Sequence, residues 1–130
     1  MTAALPAFFR AVALDETGST NEDAAAAARD GAPEGTLIWA RRQTSGRGRR
    51  GRMWISPEGN LHISIVLRPN VPPSRAGEIA FVAALAVAEA CAALARGADV
   101  RCKWPNDVLV DGRKAAGLLI ESSIAGGALD

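Results

Sequence analysis

Between Gln43 and Arg52 the chain reads Gln-Thr-Ser-Gly-Arg-Gly-Arg-Arg-Gly-Arg, with three glycines, four arginines and no large apolar side chain in ten residues. No stretch constrains the fold more. Glycine is poor in both helix and strand, and nothing here can be buried, so the segment reads as a loop. Its glycines allow close backbone approach and unusual dihedrals. Its arginines offer forked donors that match phosphate or carboxylate oxygens. Ordering such a flexible loop is costly unless a ligand helps to order it. The segment therefore predicts a scaffold that holds a loop over an anion.

Charge distribution narrows the anion. Residues 41–52 hold six arginines and no acid, and the remaining residues hold nine basic against fourteen acidic side chains, a balance of −5. A nucleic-acid coat needs a broad positive field, so a basic loop on an acidic body suits a small anionic ligand better. Thirteen of the fifteen basic residues are arginine, and the two lysines, Lys103 and Lys114, lie close together in sequence. An ammonium is a compact point charge, so these two either mark a place where one is needed or fall together by chance. With 130 residues, 48% of them hydrophobic and 22% charged, the chain suits one domain with a core. Cys91 and Cys102 have no metal-site spacing and are expected as reduced, buried thiols in a cytoplasmic protein. His62, mid-strand with no acidic or cysteine neighbour, is expected to be a structural or surface histidine. The longest apolar run, 81–95, is too short to span a membrane and contains Glu89. With no basic residue before Arg10, a signal peptide is not expected.

In chain order, Phe8–Leu14 predicts a first strand. Ser19, Thr20 and Asn21 are good N-caps, and Glu22 and Asp23 suit a first turn, so Ala24–Arg29 predicts a helix closed by Gly31 and Pro33. Thr36–Arg42 predicts a strand entering the loop, and Leu61–Leu67 a half-buried strand with Leu61, Ile63, Ile65 and Leu67 on one face. Two strands around this loop suggest an antiparallel pair whose connection crosses a site. Ser74–Ala95 predicts a long, largely buried helix ended by Gly97. Asp99–Lys103 reads as a strand, Trp104-Pro105-Asn106-Asp107 as a break, and Val108–Val110 with Arg113–Glu121 as a hairpin across Asp111-Gly112. The tail 122–130 trails off. Hairpins predominate over βαβ units, giving an α+β class: a mainly antiparallel mixed sheet with helices packed on it.

Four stretches are candidate site material: Ser19-Thr20-Asn21, Gln43 to Arg52 with Trp54 behind it, Lys103 to Asp107, and Lys114 to Gly117. They supply amides, hydroxyls, guanidiniums, an ammonium, a carboxylate and two indoles, but no nucleophile paired with a base. Such a set positions and stabilises a phosphorylated species, as phosphoryl and nucleotidyl transfer require. The loop lacks the Gly-Lys-Ser/Thr ending of a Walker A motif. Gly46, Gly48 and Gly51 fit a Gly-x-Gly-x-x-Gly pattern, but no helix signal follows.

In this order and spacing, Gln43-x-x-Gly-Arg-Gly-Arg-Arg-Gly-Arg-x-Trp54, Gly59-Asn-Leu61, Lys103-Trp-Pro-Asn-Asp107 and Arg113-Lys-x-Ala-Gly117 resemble the biotin protein ligase family. Ser19-Thr20-Asn21 matches its early motif, and the resemblance runs from about Phe9 to Glu121. It implies a fold like the catalytic domain of class II aminoacyl-tRNA synthetases. The implied activity is a ligase that makes biotinyl-5′-adenylate from biotin and MgATP, then passes biotin to a lysine of the biotin carboxyl carrier domain of a carboxylase. Carried over, Ser19, Thr20, Asn21, Gln43, Arg47, Gly48, Arg49, Trp54, Lys114 and Gly117 would contact biotin. Arg47, Arg49, Arg50, Arg52, Trp54, Lys103, Asn106 and Asp107 would contact the adenylate or ATP. Lys114, Arg47 and Arg49 would be catalytic, and Asp107 would be near Mg²⁺.

No helix-turn-helix precedes the motifs, so the resemblance is to the single-function type, and neither DNA nor a membrane is an expected partner; self-association into a homodimer is left open. The family's catalytic domain continues past Glu121 into further strands and a small SH3-like domain, so the chain is expected to be its N-terminal portion and poorly active alone. Two other readings stand beside this one. The first is a lipoate ligase or octanoyltransferase of the same fold, which the arginine-rich loop argues against. The second is a non-enzymatic nucleic-acid-binding module built on the Arg/Gly loop, which the acidic remainder argues against.

Overall fold

The computed structural model describes residues 4–125 with 128 and 129, and side chains through residue 123. The chain divides into two compact units, one ending at Asn70 and the other beginning at Val71.

In the first unit the order is β1 (Arg10–Thr17), α1 (Thr20–Arg29), β2 (Thr36–Gln43), a 3₁₀ turn (Arg49–Gly51) and β3 (His62–Ile65). The sheet order is β1-β2-β3, with β1 parallel and β3 antiparallel to β2. The antiparallel pair around the glycine-rich loop is as the sequence predicts. The first strand is displaced: it runs to Thr17, past the acidic residues read as its end. Cross-strand pairing explains this, since Glu16 lies opposite Arg42 and bonds it at 2.8 Å.

Helix α1 begins where its signals place it. Ser19 is the extended N-cap, Glu22 and Asp23 occupy the first turn, and Arg29 the last, so charges oppose the helix dipole at both ends. The helix closes through Gly31, at φ +87°, with Gly31 N donating to Ala28 O and Ala32 N to Ala27 O. Arg68 adds a second closure, its Nη2 donating to Ala28 O and Ala32 O at 3.0 and 2.9 Å. Ala24, Ile38 and Val66 form a small core, flanked by Leu14 and Ala28. Ile38 and Val66 each contribute about 1.5–3 kcal/mol by leaving water.

The alternation along β3 is correct, but its inward face is the other one. His62, Ser64 and Val66 are buried, whereas Ile63 and Ile65 are 41% and 36% exposed. Alternation fixes which side chains share a face but not which face turns inward. Here α1 packs on the polar side, where Thr20 and Asn21 hydrogen-bond Ser64. His62 is structural, its Nε2 3.1 Å from Pro57 O.

The second unit holds a 3₁₀ turn (Pro73–Arg75), α2 (Glu78–Leu94), β4 (Val100–Lys103), β5 (Asp107–Val110) and β6 (Arg113–Gly117), with sheet order β4-β5-β6 and antiparallel pairing throughout. The long helix starts at Glu78 rather than Ser74, because Pro73 opens a separate tight turn. Arg75 chelates the Glu78 carboxylate and holds it below the usual carboxylate range. The expectation of a largely buried helix is not met. Only Ala84 is buried, while Phe81, Val82, Leu85 and Leu94 are exposed, since only one side of the helix contacts β4 and β5. Asp111 and Gly112, at φ +50° and +74°, make the predicted two-residue hairpin. β6 stops at Gly117, short of Glu121.

The tail forms two short strands, β7 (Ile124–Ala125) and β8 (Ala128–Leu129), paired antiparallel; the rest of 122–130 read as trailing off includes residues 126, 127 and 130, which lie outside the described residues. Both cysteines are free, but Cys91 is only partly buried and Cys102 is exposed, which corrects the expectation of buried thiols. Cys91 lies on α2 and Cys102 on β4, elements with few buried side chains. Among the described residues no helix is long and apolar enough to cross a membrane.

Candidate ligand-binding site

The glycine–arginine segment folds back on itself. Gln43 N donates to Ser56 O, Trp54 N to Gly46 O and Gly48 N to Arg52 O, at 3.1, 2.8 and 2.7 Å. Gln43 bridges to Ser56 and Arg47 to Met53. The result is a narrow hairpin with Arg49-Arg50-Gly51 at its tip, where Arg50 and Gly51 have φ +59° and +70°. The left-handed arginine costs roughly 1–2 kcal/mol. The loop is thus more ordered than its composition predicts, because its backbone polar groups pair with one another.

Gly46 is required by packing. A Cβ there would lie 2.4 Å from Ser56 Oγ, 2.6 Å from Trp54 O and 3.0 Å from Gln43 Nε2. The absent side chain lets the hairpin close on Gln43.

Beneath the hairpin stem lies a connected polar set. Thr20 N and Thr20 Oγ1 donate to Gln43 Oε1 at 2.8 and 3.1 Å. Thr20 Oγ1 lies 2.8 Å from Ser64 Oγ, which donates to Asn21 Oδ1. Gln43 Nε2 donates to Ser56 Oγ at 2.9 Å, and Ser56 Oγ to Trp54 O at 3.1 Å. The Thr20 N–H fixes which end of the Gln43 amide faces the helix, so Gln43 Nε2 is the donor to Ser56 Oγ, while the single Thr20 hydroxyl proton is shared between Gln43 Oε1 and Ser64 Oγ. Ser19, Thr20, Ser56 and Ser64 are all nearly fully buried. Fully satisfied buried networks of this kind are stiff, and their loss is costly.

The stem is also tied to the β1–α1 connection. Thr44 N donates to Thr17 O and Ser45 N to Gly18 O, at 2.9 and 2.8 Å. Arg47 Nη1 pairs with Glu22 Oε1 in the first turn of α1. Arg42 pairs with Glu16, and Arg41 with Asp15 and Glu58. Among the described residues Arg49, Arg50 and Arg52 are exposed and carry no ion pair. The cationic run therefore divides, with neutralised arginines at the base and three uncompensated ones toward the tip. An open groove of about 690 Å³ follows the hairpin, lined by Gln43, Gly46, Arg47, Met53, Trp54 and Ser56 among others. Trp54 offers an apolar wall there, as its composition suggests.

In the second unit, β4, β5 and β6 gather the remaining candidates. Lys103 lies opposite Asp107, and Asp107 opposite Gly117. Lys114 Nζ is 2.9 Å from Asp107 Oδ1, with the lysine side chain 41% and the aspartate 19% exposed. Asn106 holds the end of β6 from both sides, its Nδ2 donating to Leu118 O and its carbonyl accepting from Leu118 N, at 2.6 and 2.9 Å. Asp107 thus pairs with a partly exposed ammonium, and Asn106 pins the chain just past the strand that carries it.

Each unit therefore brings its own candidates together: Ser19, Thr20, Asn21, Gln43, Arg47, Gly48, Arg49, Arg50, Arg52 and Trp54 in the first, and Lys103, Asn106, Asp107, Lys114 and Gly117 in the second. Sequence reading missed Ser56, Ser64 and Glu22. Ser64 was detectable as a hydroxyl on the polar side of an alternating strand. Glu22 carries no signal, since an acid in a first helical turn is ordinary.

Comparison with known proteins agrees with the motifs. The model of the biotin/lipoate A/B protein ligase family matches residues 17–129. The chain is 44% identical over 108 residues to the bifunctional ligase/repressor BirA of Bacillus spizizenii, covering 82% of this chain and 33% of that protein. It is 46% identical over 114 residues to the biotin--[acetyl-CoA-carboxylase] ligase of Paracoccus denitrificans, covering 87% and 47%. The structure of biotin protein ligase from Aquifex aeolicus in complex with biotin and ATP superposes with a TM-score of 0.75 at 34% identity, covering 92% of this chain and 48% of that one. The chain thus spans about a third to a half of the length of these relatives.

Proposed function

The chain belongs to the biotin/lipoate A/B protein ligase family, and from that premise we propose that it forms the biotin- and adenylate-holding part of an ATP-dependent biotin–protein ligase. The observation that carries this reading is the joining of a neutral polar set to a cationic strap through one residue, Gln43. Such a pairing suits a ligand with a polar uncharged ring at one end and an anion at the other. Relatives named or solved as biotin ligases support the choice of biotin over lipoate.

In the first step a biotin carboxylate oxygen attacks the α-phosphorus of ATP, and the bond to the bridging oxygen breaks to release pyrophosphate. Two anions meet, so the barrier falls where cations gather the developing charge. Arg49, Arg50 and Arg52 supply uncompensated guanidiniums for the phosphate, and Lys114 supplies the ammonium for the carboxylate and α-phosphate. Ser19, Thr20, Asn21 and Gln43 hold the ring, with Trp54 against its hydrocarbon portion. The backbone of Arg47 and Gly48 lies beside it, and Gly117 permits close approach. Lys103 and Asn106 serve the nucleotide end.

Mg²⁺ would arrive with the nucleotide, as MgATP. Among the described residues no three His, Cys, Asp or Glu side chains gather to hold a metal, and Asp107 is already neutralised by Lys114. The residues thus do not fit a resident metal, and Asp107 acts by orienting the ammonium.

In the second step an acceptor lysine amine on a biotin carboxyl carrier domain attacks the anhydride carbonyl. An amide forms, the bond to AMP breaks and the amine gives up its proton. Closing the hairpin tip over the anhydride keeps water from hydrolysing it first.

A ligand-induced melting shift tests the reading. Biotin at a hundred times its Kd stabilises a binding protein by about 2.7 kcal/mol, and a non-binding ligand by nothing. Biotin should raise the melting temperature, and biotin with MgATP should raise it further. A shift with lipoate but not biotin would overturn the assignment.

A further inference from the structure

We propose that Glu22 is a positioning residue that holds the stem of the arginine hairpin through Arg47, so that the Arg47 guanidinium serves as a tether rather than as a phosphate ligand. The inference rests on the ligand reading above for its effect on catalysis, but its structural half does not. Among the described residues the stem is joined to the β1–α1 connection and the start of α1 by two backbone bonds, Thr44 N to Thr17 O and Ser45 N to Gly18 O, by the Thr44 hydroxyl on Thr17 O, by the Gln43 amide on Thr20, and by the Glu22–Arg47 ion pair. Of these links only Glu22–Arg47 joins two charges, and it is the one that reaches furthest along the hairpin. Glu22 stands one residue after Ser19-Thr20-Asn21, on the same helical turn. The pair therefore couples the residues that hold a ring to the loop that closes over an anion.

The contrast within the loop supports the assignment. Arg47 is only 35% exposed and faces an acid, whereas Arg49, Arg50 and Arg52 are exposed without one. A guanidinium meant for a phosphate gains nothing from a resident carboxylate that must first be displaced. A guanidinium meant to fix a loop gains a partner on a rigid helix. With the stem fixed, closure orders only the tip, and the backbone entropy of the stem residues is not lost again on binding.

Trypsin reads the tether directly, because the loop offers four arginyl bonds. Glu22→Gln should speed cleavage within 47–52 several-fold in the absence of ligand, and saturating biotin should return the variant to the wild-type rate. The KM for biotin should rise several-fold while kcat for adenylate formation, measured in a full-length ligase, stays within twofold. The charge-swapped pair Glu22→Arg with Arg47→Glu should restore slow cleavage at the remaining loop bonds. Unchanged cleavage in Glu22→Gln, or a lower KM for ATP, would overturn the tether and make Glu22 a competitor for Arg47. The cleavage comparison needs no ligand, so failure of the biotin reading would appear separately, as a wild-type chain that biotin does not protect.

Discussion

Gln43 Oε1 accepts both the backbone N–H and the hydroxyl of Thr20, at 2.8 and 3.1 Å. One amide on a strand end thereby satisfies the start of a helix and, through Ser56, the far arm of the loop hairpin. Replacing it with leucine keeps the volume but leaves the Thr20 N–H unpaired. An unsatisfied buried donor costs about 1–3 kcal/mol, so the urea midpoint of Gln43→Leu should fall accordingly. Biotin should no longer raise its melting temperature.

The three loop glycines should behave differently under the same change. Gly46→Ala places a methyl group within 2.4 Å of Ser56 Oγ and should forfeit the hairpin along with the biotin-induced shift. Gly51→Ala meets open space but sits at φ +70°, and should cost about 1–2 kcal/mol. Gly48→Ala has only Arg52 O nearby, at 3.8 Å, and should leave the melting temperature almost unchanged. Thermal unfolding of the three variants in parallel gives the ranking.

The Arg49 guanidinium lies at the tip with no partner among the described residues, so Arg49→Gly should leave stability within about 0.5 kcal/mol of the parent. Its effect should appear instead in retention of the adenylate. In a full-length ligase the variant should release biotinyl-5′-adenylate faster and label bystander lysines, which a filter-retention assay and anti-biotin blotting would register.

Lys114 and Asp107 make a partly exposed ion pair, and such pairs contribute about 0–1 kcal/mol. Lys114→Met should therefore melt close to the parent. Biotin-dependent ATP–pyrophosphate exchange by the full-length enzyme should nevertheless fall by at least a hundredfold, because the ammonium's proposed work lies in the transition state. Asp107→Asn should fall less, since it loosens the ammonium without removing it.

What was legible in the sequence follows the range of the forces involved. The helix start at Ser19 and the turn at Asp111-Gly112 were readable because capping and positive φ are local demands. The loop was readable because glycine and arginine exclude everything else there. Three features were not readable. The inward face of β3 depends on α1 placing Thr20 and Asn21 against it, a contact across more than forty residues of chain. The exposure of α2 depends on how much sheet lies beneath it, which its own apolar composition does not specify. The order within the arginine loop depends on backbone bonds between its two arms, to which side-chain identity is nearly silent. The sequence singles out the candidates that lie in motifs, but not Ser56, Ser64 and Glu22, which bond Gln43, Thr20 and Arg47.

The reversed face of β3 couples recognition to registration. Ser64 pairs with Ile38 across the ladder, and its neighbour Ile63 with Trp39. A slip of one position would trade a hydroxyl for a butyl group beneath Thr20 and evict Val66 from the small core in the same movement. Misalignment of this strand therefore has no silent form: a chain that misplaces it cannot remain cohesive while losing only its ligand.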